Sequence, residues 1–123
     1  MRDGGDMRAL ATMIGMAALA GTPAAAQAPD GARLFASQCR MCHGAASTPA
    51  GPALKGVAGA KVASRPGYKY SAALTAKGGT WSDAALDAYL AGPTTFAPGS
   101  RMVLKVANPA QRKALIAHLK TLK

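Results

Sequence analysis

Cysteine is nearly absent from this chain: Cys39 and Cys42 are the only two in 123 residues. One close pair cannot make a disulfide framework, and a bridge across two intervening residues would staple almost nothing. Nor can the pair complete a structural zinc site, which takes four ligands, because no second Cys/His pair exists. Aromatics are equally sparse: Phe35, Tyr68, Tyr70, Trp81, Tyr89 and Phe96. A small domain with so few large side chains usually needs a staple, a metal or a large cofactor. Acidic residues number five against 15 basic ones. No segment alternates with period two for long enough to make a sheet, and the apolar run near the start, Ala9–Ala20, has 12 residues. That is short of the ~20 that span a bilayer as a helix.

This run reads instead as the core of an export signal. "GTPAAAQAPD" comes after it with small residues suited to signal peptidase, and a start at Met7 would give "MRAL" as a clean positive lead. Cleavage after Ala26 is expected, so residues 1–26 form a secretory signal peptide and 27–123 one domain in the periplasm. An uncleaved anchor over Ala9–Ala26 is the alternative. The domain carries 13 Lys/Arg against Asp30, Asp83 and Asp87, a formal charge of +10. Such a charge suits an acidic partner surface, nucleic acid or an anionic membrane. The basic residues are scattered singly and are not interleaved with aromatics, which argues against nucleic acid.

The domain is expected to be all-α with long loops. Asp30 can cap a helix through "GARLFASQC" that continues towards His43. Gly44–Gly67, rich in Gly, Pro, Ser and Ala, reads as loop. Ser71 can cap "AALTAK", and Thr80 with Asp83 has capping-box spacing before a helix that Gly92-Pro93 ends. Thr94–Ala107 reads as another loop. Pro109 then opens a last helix with Leu115, Ile116, Leu119 and Leu122 as its apolar stripe.

Both cysteines sit in "CRMCH", Cys39 to His43. On a continuing helix, positions 39, 42 and 43 would leave one face. A thioredoxin-like redox pair would need a βαβ context that the chain lacks. Covalent haem attachment fits better: the thiols add to two porphyrin vinyl groups, and the adjacent His43 reaches the iron. The other side of the iron then needs a ligand. Met1, Met7, Met13 and Met16 leave with the signal, and Met41 points away from the tethering face. Met102, at the tip of "FAPGSRMV", remains. His118 is the competitor, but beside Leu115 and Leu119 it reads as a packing or surface residue.

The domain resembles class I c-type cytochromes, of the mitochondrial cytochrome c and bacterial cytochrome c2 kind. The likeness runs in order through "GARLFASQCRMCH", "GPALKGVAG", "RPGYKYSAAL", "TWSDAALDAYLAGP", "FAPGSRM" and "ALIAHLKTLK". It implies the cytochrome c fold, three to five short helices with long loops around one covalent haem c. Cys39 and Cys42 would form the thioethers, and His43 and Met102 would be the axial iron ligands. The Pro52 carbonyl would accept the second ring N–H of His43. Tyr70 and Trp81 would donate to a buried haem propionate, Tyr89 would lie against the Met102 sulfur, and Ser100 would supply a hydroxyl. Gly31 and Phe35 would sit where the first helix crosses the last, with Leu115 opposite. The chain departs from the family at Ala60, where an arginine often stands beside the propionates, and at Leu74, where an asparagine often holds a buried water.

Iron held by two protein ligands has no open position, which favours a one-electron carrier over an enzyme. The expected partners are acidic docking surfaces of redox proteins: a quinol–cytochrome reductase, a terminal oxidase, a reaction centre or a periplasmic dehydrogenase. The expected carrier is a monomer with no stable membrane insertion. Three rival readings remain: a ligand-binding or peroxidase-like protein with a labile Met102, a dedicated electron-transfer subunit of one oxidoreductase, and a thiol oxidoreductase.

Overall fold

Asp30 starts the fold. Its Oδ1 accepts from the backbone N–H groups of Ala32 and Arg33 at 3.0 and 3.3 Å, satisfying orphan donors at the start of α1 (Gly31–Leu34). The computed structural model describes Gly15, Ala17, Ala18 and residues 28–123. The expected signal peptide otherwise lies outside the described residues. After Leu34 the chain widens into a π-helical stretch, Phe35–Cys39, in which Arg40 N–H donates to the Phe35 carbonyl at 3.0 Å. The expected helix through "CRMCH" is corrected accordingly. The wider turn shifts the phase of the residues after it, whereas in an α-helix positions 35 and 39 would share a face. Phe35 packs on the last helix, its ring 5.0 Å from that of His118.

The remaining helices are also short. α2 (Ala72–Lys77) has Ser71 Oγ accepting from Leu74 N–H at 3.2 Å. α3 (Asp83–Ala91) is capped by Ser82, whose Oγ accepts from Ala85 N–H at 3.1 Å. Thr80 is not the cap, because its backbone forms an isolated bridge with Lys61. α4 (Pro93–Phe96) occupies the start of the segment expected to be loop. Pro93 sits at its first turn, where a missing N–H is harmless, so the residue that stops α3 also starts α4. α5 (Pro109–Leu119) is opened by Asn108, whose Oδ1 accepts from Ala110 and Gln111 N–H at 2.9 and 3.2 Å. Among the described residues there is no sheet and no helix long and apolar enough to cross a membrane.

α5 is the back wall. Leu115, Ile116 and Leu119 are buried in the core with Phe35, Leu86 and Leu90, while Leu122 lies beyond the helix end and is half-buried. Arg112 ties α5 to its neighbours. Its Nε donates to Asp87 Oδ1 at 2.8 Å, and its Nη1 to the carbonyls of Val106 and Ala107, both at 2.9 Å. Where α1 crosses α5, Gly31 faces the backbone of Ala114, and Phe35 shares the buried core with Leu115. A Cβ on Gly31 would collide with the Ala114 carbonyl oxygen and come within 3.0 Å of His118 Cβ. A backbone carbonyl in a packed helix cannot step aside cheaply. Gly31→Ala is therefore expected to destabilise the protein by about 1–3 kcal/mol, read as a lower denaturant midpoint at unchanged slope.

Candidate functional site

The loops and helices leave a cavity of about 250 Å³ in the middle of the domain. Its walls are mostly apolar, with Leu54, Leu74, Leu86, Leu90 and Leu115 among them. All nine residues singled out in the sequence line it. Cys39, Cys42 and His43 bring the tethering motif to its rim, and Pro52 stands beside them. Tyr70 and Trp81 come from loops, Tyr89 from α3, and Ser100 and Met102 from the segment after α4. His118 is not on the wall.

The motif is held by turns. The Cys39 carbonyl accepts from the N–H groups of Cys42 and His43 at 3.1 and 2.9 Å. Both thiols are free, Cys39 half-buried and Cys42 exposed. Burial pushes the Cys39 pKa above its ordinary value. Met41 between them points to solvent and is 89% exposed. His43 Nδ1 lies 2.8 Å from the Pro52 carbonyl oxygen. A carbonyl only accepts, so Nδ1 carries the proton and donates, and Nε2 keeps its lone pair for a metal. Gly51 makes this approach possible: a Cβ there would sit 2.6 Å from the Cys42 carbonyl oxygen and 3.2 Å from His43 Cε1.

On the Met102 side, Trp81, Tyr89 and Phe96 form an aromatic cluster. The Trp81 and Tyr89 rings are 5.0 Å apart, and Trp81 stacks on Phe96 at 5.8 Å. Tyr89 Oη and the buried Ser100 Oγ are 3.5 Å apart. Burial raises the Tyr89 pKa, and the Ser100 hydroxyl opposes part of that rise. Lys77 braces the cluster from outside: its Nζ lies 4.3 Å from the Phe96 ring centre and donates to the Phe96 carbonyl at 3.1 Å.

Two contributors were missed by sequence reasoning. Lys77 reads as an ordinary helix-end cation, and nothing local points it at Phe96, 19 residues on. Arg65 opens the stretch "RPGYKYSAAL", in which only Tyr70 was singled out, yet it lies on the cavity wall. Its backbone N–H donates to Tyr70 Oη at 3.1 Å and its Nη1 to the Lys55 carbonyl at 2.8 Å. Its Nε is buried and has no partner. Burial also raises the Tyr70 pKa, with Arg65 acting in the opposite sense.

These residues suit a large apolar group carrying a metal. The cavity offers an apolar lining, two thiols for attachment, an oriented imidazole and a thioether. Comparison with known proteins agrees. The cytochrome c family model matches residues 28–123. Cytochrome c2 of Rhodomicrobium vannielii is 39% identical over 122 residues, covering 94% of this chain and 97% of that protein. Cytochrome c2 iso-1 of Magnetospirillum molischianum is 45% identical over 92 residues, 71% of this chain and 92% of its own. Among solved structures, cytochrome cH from Methylobacterium extorquens superposes with a TM-score of 0.69 at 41% identity, covering 74% of this chain and 94% of that one. The chain belongs to the cytochrome c family. With membership come covalent haem c, its iron, and the work of an electron carrier rather than an enzyme.

The Gly51 contact yields a test of the His43 geometry. Gly51→Ala is expected to push His43 off the Pro52 carbonyl and to destabilise the fold by about 1–3 kcal/mol. The His43 ring N–H resonance should exchange faster with solvent in that variant.

Proposed function

We propose that this chain is a periplasmic monohaem carrier. Cys39 and Cys42 would hold the haem, and His43 and Met102 would ligate its iron. Residues 1–26 are removed as a signal peptide. The observation that carries the reading is the shared cavity: both thiols, the oriented imidazole and the Met102 thioether line one apolar space. His118, the rival distal ligand, is occupied elsewhere by its packing on Phe35.

Bound haem supplies a one-electron change between ferric and ferrous iron. The chain's own residues do the rest. Pro52 fixes the orientation and tautomer of the His43 ring through the Nδ1–H bond. The leucine walls exclude water, which disfavours the extra charge of the ferric state and sets a relatively high potential. Trp81, Tyr89, Phe96 and Lys77 hold the segment carrying Met102, so the iron keeps both ligands and admits no substrate. Tyr70 and Trp81, both on the cavity wall, would donate to a propionate.

Partner choice follows from charge and exposure. Met41 and Val103 are exposed at 89% and 74%, and Leu104 at 40%. Arg40, Arg101 and Lys105 stand exposed beside them in the chain. Of these, Arg101, Val103 and Leu104 line the cavity, and an apolar spot with a basic neighbour suits brief docking on an acidic surface of a membrane redox complex or a periplasmic dehydrogenase. The α3–α5 side is different: there Lys120 Nζ is paired with Asp83 at 2.6 Å.

Two predictions test this function. Met102→Ala is expected to open the iron, lower the potential and let carbon monoxide or cyanide bind, while covalent haem is retained. His118→Ala should leave the low-spin spectrum unchanged, and its loss there would transfer the distal role to His118. Second, bimolecular electron-transfer rates should fall steeply as the Debye length shrinks from about 30 Å at 0.01 M salt to about 8 Å at 0.15 M. Arg101→Glu or Lys105→Glu should slow the encounter more than Lys120→Glu or Lys123→Glu. Equal slowing by all four would mean that net charge alone steers.

A further inference from the structure

Arg65 is a cavity-lining cation whose bonding is incomplete. Its Nη1 is committed to the Lys55 carbonyl, and its Nε–H is buried with no acceptor. Buried polar groups in folded proteins are almost always hydrogen-bonded, and a charged one without a partner is costly. The described residues provide no anion here. Among the described residues the ion pairs are Arg33–Asp30, Arg112–Asp87 and Lys120–Asp83, so every described aspartate is engaged elsewhere.

The setting of the guanidinium is also specific. Gly56 gives it room, since a Cβ there would lie 3.2 Å from Nη1. Because Tyr70 Oη accepts from the Arg65 backbone N–H, its own proton is left to donate. A buried N–H edge of a guanidinium and a phenolic donor therefore meet at one wall of an apolar cavity. An arginine grips a carboxylate through such an edge, often at two points.

From this arrangement we infer that Arg65 and Tyr70 together bind one haem propionate as the ionised carboxylate, with Arg65 supplying the compensating charge. The inference rests on haem occupying the cavity, as proposed above. It also accounts for Ala60: charge compensation comes from a different loop position, five residues further along. Holding the propionate ionised keeps its proton from exchanging with the redox state near neutral pH.

The test compares Arg65→Gln with the parent holoprotein and with Lys61→Gln, an exposed cation nearby in sequence. The propionate carboxyl is followed by infrared titration on protein carrying isotope-labelled haem, and the potential is measured against pH. Loss of an adjacent guanidinium should raise the propionate pKa by about one to three. Across that new pKa the potential should fall with rising pH, because losing the proton favours the ferric state. Lys61→Gln should leave both curves in place. Should the glutamine variant fold poorly, Arg65→Lys carries the test: a single contact gives a smaller rise of the same sign, and no rise overturns the proposal. Unchanged curves in an Arg65→Gln protein with intact low-spin haem would overturn it alone, as would an equal shift in Lys61→Gln. A parent chain without covalent haem would overturn the underlying reading and this proposal with it.

Discussion

The domain is organised around leucine walls that enclose the space suited to haem. Leu54, Leu74, Leu86, Leu90 and Leu115 come from a loop and three different helices, and all face the same cavity. Left unfilled, the cavity would leave the apolar side chains of these walls without packing partners and open to water. The helices are four to 11 residues long, and isolated helices of that length are marginal in water. Neither local propensity nor direct helix contact is sufficient to explain the fold. The α1–α5 crossing at Gly31 and the Arg112 ties hold the back together, while the front needs the prosthetic group between its walls.

The same group explains where polar side chains go. His43 is turned by Pro52, Tyr89 meets Ser100 beside Met102, and Arg65 and Tyr70 meet at one wall. Each lies in a mostly apolar cavity, where water is scarce and an unpaired donor is expensive. The surface obeys another rule. Thirteen basic side chains against three aspartates leave +10 between residues 27 and 123, which opposes compaction but speeds encounters with acidic partners. The aspartates pair with Arg33, Arg112 and Lys120, none of which lines the cavity. The cavity mouth therefore stays free for docking.

Much of this was legible in the sequence. The helix starts at Asp30, Ser71 and Pro109 could be read because capping and proline rules act within a few residues. That Cys39, Cys42 and His43 meet at one site could be read because they fall within five residues, and all three line the cavity. Three local features were misread. The π turn at Phe35–Cys39 depends on Phe35 facing α5 while Cys39 faces the cavity, a conflict set by distant residues. Ser82 caps α3 because Thr80 is pinned to Lys61 from another loop. α4 was hidden because Pro93 both stops one helix and starts the next. Arg65 and Lys77 were missed for a related reason: their meaning lies in partners 10 and 19 positions away, and no local pattern records such contacts.

The central claim is that haem completes the core. The most direct measurement is equilibrium unfolding of residues 27–123 carrying Cys39→Ala and Cys42→Ala, prepared without haem and followed by circular dichroism in urea. The account predicts low helicity and a broad, non-cooperative change, with a sharp transition in the parent holoprotein. A haem-free chain that unfolds cooperatively at a midpoint near that of the holoprotein would contradict it.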